Sequence, residues 1–191
     1  MNLFLQMFVP VTAGFVLDLL LGDPAWLYHP VRLIGHLITK TEKIIRRFTS
    51  EKKNRERAGG LLLVLIVTGI SMFVPGIILY LCYHCSFYLG IVIETFMCYQ
   101  ILAARSLQTE SDKVYQALET EGLPAARKAV SMIVGRDTQN LTDEGVTKAA
   151  VETVAENTSD GEIAPLFYMM IGGAVLGFGY KAVNTMDSMV G

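Results

Sequence analysis

From Leu61 to Ile93 the chain carries no Asp, Glu, Lys or Arg. Such a stretch has few places to go. A bilayer core of about 30 Å is crossed by about 20 apolar residues of helix, and inside lipid the backbone must satisfy its own hydrogen bonds. Residues 61–82 are read as one crossing, 83–86 as a turn and 87–104 as the return. The return helix contains Glu94, an acid that must face other helices or a polar cavity, as a structural partner or as a functional group. Residues 3–21 form another membrane helix, with Gln6 and Asp18 inside it and a sharp stop at Leu21-Gly22-Asp23-Pro24. It lacks a basic leader and a small-residue cleavage site, so it is expected to stay as a helix rather than be removed. A further apolar run, 163–179, is short for a crossing and holds Gly172, Gly173, Gly177 and Gly179. Its Gly173-x-x-x-Gly177 spacing permits close helix packing. That run spans, re-enters or is buried in protein.

Composition agrees: 52% of residues are hydrophobic and 18% charged, against about 25% charged in soluble domains, and the mean hydropathy is +0.42. A net charge of −2 gives no reason to expect a nucleic-acid partner. Cys82-x-x-Cys85 has metal or redox spacing, but no second pair completes a site, and with Cys98 these read as cysteines of apolar helices. There is no strand alternation and no internal repeat. The expected fold is all-α: a polytopic helical membrane protein, residues 1–191 forming a single membrane domain, with a cytoplasmic polar helical segment at 105–161. Within that segment the helical stretches are 111–121, 124–134 with Pro124 at its start, and about 142–157.

Residues 40–57 carry Lys or Arg at 40, 43, 46, 47, 52, 53, 55 and 57 against Glu42, Glu51 and Glu56. A basic loop beside membrane helices marks the cytoplasmic face, where it also meets lipid headgroups. That puts 22–60 and 105–161 inside and the 83–86 turn outside.

The polar segments contain four candidate clusters. Glu152 and Glu156 share a helical face with Lys148, and Asp160 follows with Asn157, Thr158 and Ser159. Carboxylates with nearby amide and hydroxyl oxygens suit Mg²⁺, which takes hard oxygen ligands and substrate phosphates; a solvated face with a Lys–Glu pair is the plain alternative. Gly135-Arg136-Asp137-Thr138 offers a guanidinium for phosphate or carboxylate and an acid for metal, or simply an Arg–Asp pair at a helix end. Lys181, Asn184 and Asp187 crowd directly after the Gly-rich run, where polar groups are costly unless they line a polar site. His29 and Arg32 lie just past the first helix. No Gly-x-x-x-x-Gly-Lys-Ser/Thr loop, Gly-x-Gly-x-x-Gly turn, Gly-x-Ser-x-Gly elbow or His-Glu-x-x-His helix is present.

Taken together, the strings Leu-Asp-Leu-Leu-Leu-Gly-Asp-Pro (17–24), His-Pro-Val-Arg-Leu-Ile-Gly (29–35), Arg-Ala-Gly-Gly (57–60), Ala-Arg-Ser-Leu (104–107) and Val-Ser-Met-Ile-Val-Gly-Arg-Asp-Thr (130–138) resemble the adenosylcobinamide-phosphate synthase family of cobalamin biosynthesis. The closest correspondences are Ala-Ala-Val-Glu-Thr-Val-Ala-Glu-Asn-Thr-Ser-Asp-Gly (149–161), Ala-Pro-Leu-Phe (164–167) and Tyr-Lys-Ala-Val-Asn-Thr-Met-Asp-Ser-Met-Val-Gly (180–191). The resemblance runs in order through nearly the whole chain. It implies a membrane enzyme that joins aminopropanol, or its O-phosphate, to a propionate carboxylate of adenosylcobyric acid, with ATP and Mg²⁺. The resemblance also implies a downstream portion beyond Gly191, since family members are longer, or else a partner or homo-oligomer.

On that reading Glu152, Glu156, Asp160 and Asp187 supply Mg²⁺ ligands or a general base. Lys181, Arg136 and Arg32 hold phosphates or the corrinoid carboxylate, Asp137 assists, and Asn157 and Asn184 orient substrate. ATP is cytoplasmic, so 136–161 and 181–189 should meet on the inner side of the membrane. A straight crossing by 163–179 would separate them; a re-entrant, buried or steeply bent segment is expected. Two rival classes stay open: a non-catalytic truncated membrane subunit, and a small-solute transporter component using Asp18 and Glu94 along its path.

Overall fold

The computed structural model describes residues 3–24, 26–48 and 53–190. Lys52 of the basic segment and Gly191 of the last motif therefore lie outside the described residues. Every regular element among those described is helical: α1 (Leu3–Leu21), α2 (Pro30–Phe48), α3 (Lys53–Cys85), α4 (Phe87–Tyr99), α5 (Ala104–Gln116), α6 (Leu123–Ser131), α7 (Asp143–Thr158) and α8 (Ala164–Val190). Single π-helical turns, Ala117–Glu121 and Ser159–Ile163, extend α5 and α7.

Glu56–Cys85, Phe87–Glu121 and Asp143–Val190 are helical stretches long and apolar enough to cross a membrane, and Phe8–Leu21 is a shorter apolar helix. The chain is an all-α polytopic membrane protein. α3 shows the logic plainly: Leu63, Val67 and Leu79 are buried against neighbours while Leu62, Leu65, Phe73, Ile77 and Leu81 stay exposed on the surface that lipid would cover. α1 packs on α4, and α3 packs on both α4 and α8. α1 stops where the sequence predicts. Gly22 takes φ 60 and its N–H returns to Asp18 O at 2.8 Å, a left-handed C-terminal closure suited to glycine.

Several features differ from the sequence expectation: α3 starts at Lys53 and runs to Cys85, so the expected 83–86 turn is confined to Ser86, while α5 starts at Ala104 and α6 ends at Ser131. The basic segment begins as an amphipathic helix: α2 buries Ile34, Ile38 and Thr41 and turns Lys40, Lys43, Arg46 and Arg47 outward. The spacing of three and four is a helical stripe that the density of charge conceals. The return helix also ends at Tyr99, not at residue 104. Turns closed by Ile101 N–H to Cys98 O and Leu102 N–H to Tyr99 O follow, and Ile101 and Leu102 are wholly buried. Their apolar character mimics a continuing membrane helix although the chain has already bent.

α8 is a hairpin rather than a rod. Gly172 (φ −147, ψ 30) and Gly173 (φ 61, ψ −161) leave helical geometry. The rings of Tyr168 and Tyr180 stack at 5.0 Å, whereas an unbroken helix would hold those positions about 18 Å apart. Asn184 Nδ2 donates to Asp160 O at 3.1 Å, so the second arm returns to the π turn that precedes the first. The steeply bent segment expected from the glycines is what the backbone adopts, and the stretch from 143 to 190 does not run straight.

Glu94 on α4 closes the hairpin tip. Its Oε1 accepts from Ala174 N–H at 3.3 Å and its Oε2 from Tyr83 Oη at 2.6 Å. Gly173 is confined from both sides: its φ is left-handed and any Cβ would collide with Glu94 Oε1. Cys82, Cys85 and Cys98 are free thiols.

A second, smaller core lies in the polar segment. Val114, Ala117, Ala126, Val130, Val146 and Ala149 pack together, joining α5, α6 and α7 into a compact cap. Thr142 caps α7 by accepting from Gly145 N–H at 3.1 Å.

Candidate functional site

The hairpin, the α1 terminus and the cap meet at the start of α5. Two buried acids reach its first backbone amides. Glu162 Oε1, from the π turn, accepts from Ala103 N–H at 2.6 Å; Asp18 Oδ2, from α1, accepts from Ala104 N–H at 2.8 Å. Both exploit the unpaired N–H groups and positive dipole end of a helix start. Each keeps one oxygen without a partner: Asp18 Oδ1 and Glu162 Oε2 are buried and unbonded. Asp18 is fully buried and Glu162 is 7% exposed.

Around them sit Asp23, His29 and Lys181. Asp23 Oδ2 accepts from Ser106 Oγ at 3.1 Å, and its N–H donates to Ser106 Oγ at 3.2 Å. His29 Nε2 stands 3.7 Å from Asp23 Oδ1. Burial is the main influence on His29 and pushes it below its ordinary value; Asp23 opposes this, while the Lys181 and Arg32 charges add to it. Val31 N–H donates to His29 Nδ1 at 3.3 Å, which requires a bare Nδ1 and leaves the proton on Nε2, toward Asp23. Lys181, half-buried on the second hairpin arm, feels Glu162, Asp23 and Asp18. No carboxylate among the described residues lies within ion-pair distance of its ammonium. A cavity of about 260 Å³ opens there, lined by Glu162, Lys181, Ser106, Asn157, Glu110 and Ala103 among others.

The residues singled out from the sequence divide into three places. Lys181 and Asn157 line this cavity, and Asn184 ties the hairpin to Asp160 beside it. Arg32 lies close enough to act on His29. Glu152 is elsewhere, on the outer face of α7, bonded to Arg136 at 2.8 Å and 3.9 Å from Lys148. Glu156 is exposed one turn on. Asp137 Oδ1 accepts from Gln139 N–H at 3.0 Å, and with Arg136, Arg127 and Lys128 it borders a separate cavity of about 460 Å³. Asp187 faces a third space, a groove of about 600 Å³ between α2, α3 and α8 shared with Glu42, Arg46 and Glu56. Among the described residues no three His, Cys, Asp or Glu are gathered as a metal-binding group; Glu152, Glu156 and Asp160 are spread along α7 and its extension.

Sequence reasoning passed over Glu162, Asp23 and Ser106 and treated Asp18 only as an acid in a membrane helix. Signals were available. Glu162 stands two residues after Asp160 at the mouth of the apolar run, and Asp23 and Ser106 lie in strings already noted as distinctive.

The family model for CobD/Cbib protein matches residues 11–191. A cobalamin biosynthesis protein CobD of Geobacter metallireducens is 50% identical over 181 residues, covering 95% of this chain and 56% of that protein. The Listeria monocytogenes serotype 4b protein of the same name is 49% identical over 180 residues, 94% of this chain and 56% of its own. That of Clostridium tetani is 43% identical over 183 residues, with 96% and 57% covered. The chain thus spans somewhat over half the length of these curated relatives. No solved structure matches it. With distinctive strings matched from α1 to the end of α8, the chain belongs to the CobD/Cbib family of cobalamin biosynthesis proteins.

Proposed function

We propose that this chain carries the amide-forming site of a membrane synthase. That enzyme attaches aminopropanol, or its phosphate, to the propionate carboxylate of adenosylcobyric acid. The observation that carries the reading is the hairpin. By doubling back at Gly172–Gly173 it sets Lys181 beside Glu162 and the α5 start, so strings far apart in sequence share one cavity.

A carboxylate reacts poorly with an amine because oxide is a poor leaving group. ATP, the co-substrate implied by family resemblance, would supply a phosphoryl group that makes the leaving group phosphate. The chain's own residues then position and compensate charge, which is most of what catalysis of such transfers requires. Lys181 is suited to an anionic phosphate or carboxylate and Asn157 to orienting it, while Arg32, near His29, is suited to a second anionic contact. Glu152, Glu156 and Asp160 are spread along α7 and its extension and do not form a ligand cage. The active site is taken to face the cytoplasm, on the side of the basic α2.

Capping duty bears on the transporter alternative. Glu94 and Asp18, the acids that would mark a solute path, are both engaged with backbone N–H groups at helix starts.

The test is conversion of adenosylcobyric acid by the chain in nanodiscs, alone and co-expressed with the remaining portion of a full-length relative. Mass spectrometry follows adenosylcobinamide phosphate with ATP, Mg²⁺ and the amine. Product that falls more than about tenfold, some 1.4 kcal/mol, in Lys181→Met supports the reading. Absence of product in both arms, under conditions where a full-length relative turns over, refutes it. Product only in the co-expressed arm assigns the chain as one part of the enzyme.

A further inference from the structure

We propose that the exposed side of α2 is a docking surface for anionic phospholipid headgroups, which the chain retains in preference to zwitterionic ones. This surface stands whether or not the synthase reading holds.

At about 100° per residue, Arg32, His36, Lys40, Lys43 and Arg47 fall within a sector of roughly 80° and make one stripe along the length of α2. All of them are exposed. Ile34, Ile38 and Thr41 take the opposite side and are buried where α2 packs on α3 and α8. The stripe therefore points away from the protein. The one acid of α2, Glu42, lies outside it and is spent on Arg46, whose guanidinium is 2.7 Å away. Among the described residues no carboxylate lies within ion-pair distance of Arg32, Lys40, Lys43 or Arg47. Their charge is left for something outside the protein.

A stripe made only for water needs no apolar company, and this one has it. Leu33, 60% exposed, and Ile44, 48% exposed, border it along one edge. Just before α2 come Tyr28 and Trp26, the latter 83% exposed and the only tryptophan of the chain. Exposed rings and aliphatic side chains beside Lys and Arg are the mark of an interfacial helix, with the apolar groups at the acyl boundary and the cations on phosphates. Depth agrees. Glu42, Ile45 and Arg46 share a groove with Glu56, Gly59 and Gly60. The later half of α2 is thus level with the polar end of the α3 crossing, just before the charge-free stretch opens at Leu61. Headgroups lie at that level. One face of α2 is clamped to the bundle and the other is offered to lipid, where each cation gains an attraction from an anionic leaflet that a zwitterionic one does not supply.

Native mass spectrometry of the purified chain in detergent, offered equal amounts of phosphatidylglycerol and phosphatidylcholine with matched acyl chains, reads the preference. Wild type should retain phosphatidylglycerol about fivefold or more over phosphatidylcholine, and the ratio should shrink as ammonium acetate is raised. Lys40→Gln, Lys43→Gln and Arg47→Gln combined should bring it within about twofold of parity. Lys40→Arg with Lys43→Arg should keep it. So should Lys113→Gln, Lys128→Gln and Lys148→Gln combined, which remove the same charge from the cap. In nanodiscs holding both lipids with only one brominated, Trp26 fluorescence should be quenched more by brominated phosphatidylglycerol, and the α2 triple variant should equalise the two. Wild-type retention near parity overturns the proposal, as does a cap variant that loses as much as the α2 variant. Displacement of the retained lipid by equimolar glycerol 3-phosphate would show a site for soluble phosphate instead. Loss of the preference on co-expression with the remaining portion of a full-length relative would show that protein covers this face, and also overturns it. If the α2 triple variant does not fold, the wild-type ratio, the arginine variant and the Trp26 quenching still decide.

Discussion

Glu94 and Glu162 are both buried acids that accept a backbone N–H near a helix start, yet they differ in what is left over. At the hairpin tip Glu94 spends both oxygens, on Tyr83 Oη and Ala174 N–H. At the α5 start Glu162 spends one, on Ala103 N–H, and the other is buried without a partner. Burial and an acidic side chain are therefore common to an acid whose hydrogen bonds are all made and to one that keeps an oxygen unpaired. Residual hydrogen-bonding capacity separates the two.

The sharpest way to break that contrast is at the tip. Gly173→Ala forces a side chain into a left-handed backbone and onto Glu94 Oε1. A loss of about 3 kcal/mol is expected, seen as early thermal unfolding in detergent; a melt indistinguishable from wild type would mean the tip is not built this way. Next, Glu94→Ala strands a hydroxyl and an amide and should cost about 2 kcal/mol, with Glu94→Gln milder at about 1. By contrast Asp18→Asn, which retains an acceptor for Ala104 N–H and replaces an unpartnered oxygen, should change stability by less than about 1 kcal/mol while lowering conversion. A destabilisation as large as that of Glu94→Ala would erase the distinction between the two regions. Smaller still is the pair on the outer face of α7. Its side chains are half exposed, and a double-mutant cycle over Arg136→Ala and Glu152→Ala should give a coupling of about 0.5 kcal/mol or less. Strong coupling together with lost turnover would move the functional centre toward the cap.

The smallest effect is in pH. Burial holds His29 below its ordinary value in the folded chain. The unfolded chain therefore takes up a proton first, and this contribution to stability is whole above about pH 6.5. It declines as pH falls below that, until the folded form is protonated as well. Melting temperatures between about pH 7.5 and pH 5.5 should fall less steeply in His29→Gln than in wild type; parallel slopes would show that His29 is not the group responsible.

Much of the fold is written in spacing. The charge-free stretch yields α3 and α4, although the helix runs on to Cys85 and the break falls at Ser86 rather than over 83–86, and α7 follows its Thr142 cap. The bend at Gly172–Gly173 is legible as an apolar run too short and too rich in glycine to cross simply. Other parts were not legible for physical reasons. α2 hides a buried stripe under a high charge density, and Ile101 and Leu102 look like membrane helix although they plug a turn. The site divides in the same way. Lys181, Asn157 and Asn184 stand out by composition. Glu162 and Asp18 acquire their character from the amides of residues 103 and 104, a contact across the whole chain that no local pattern encodes. Arg136 and Glu152 illustrate the converse: residues in distinctive strings that meet each other on an exposed surface.

The tip capped by Glu94 also has a consequence for biogenesis. A hairpin whose turn is completed by a side chain from α4 cannot be finished on its own; it needs α4 already seated beside α3. The insertion machinery would thus deliver the early helices first and receive the α8 arms last, as a folded wedge. A lesion at Glu94 should then appear less as weakened chemistry than as nascent chains cleared by quality-control proteolysis.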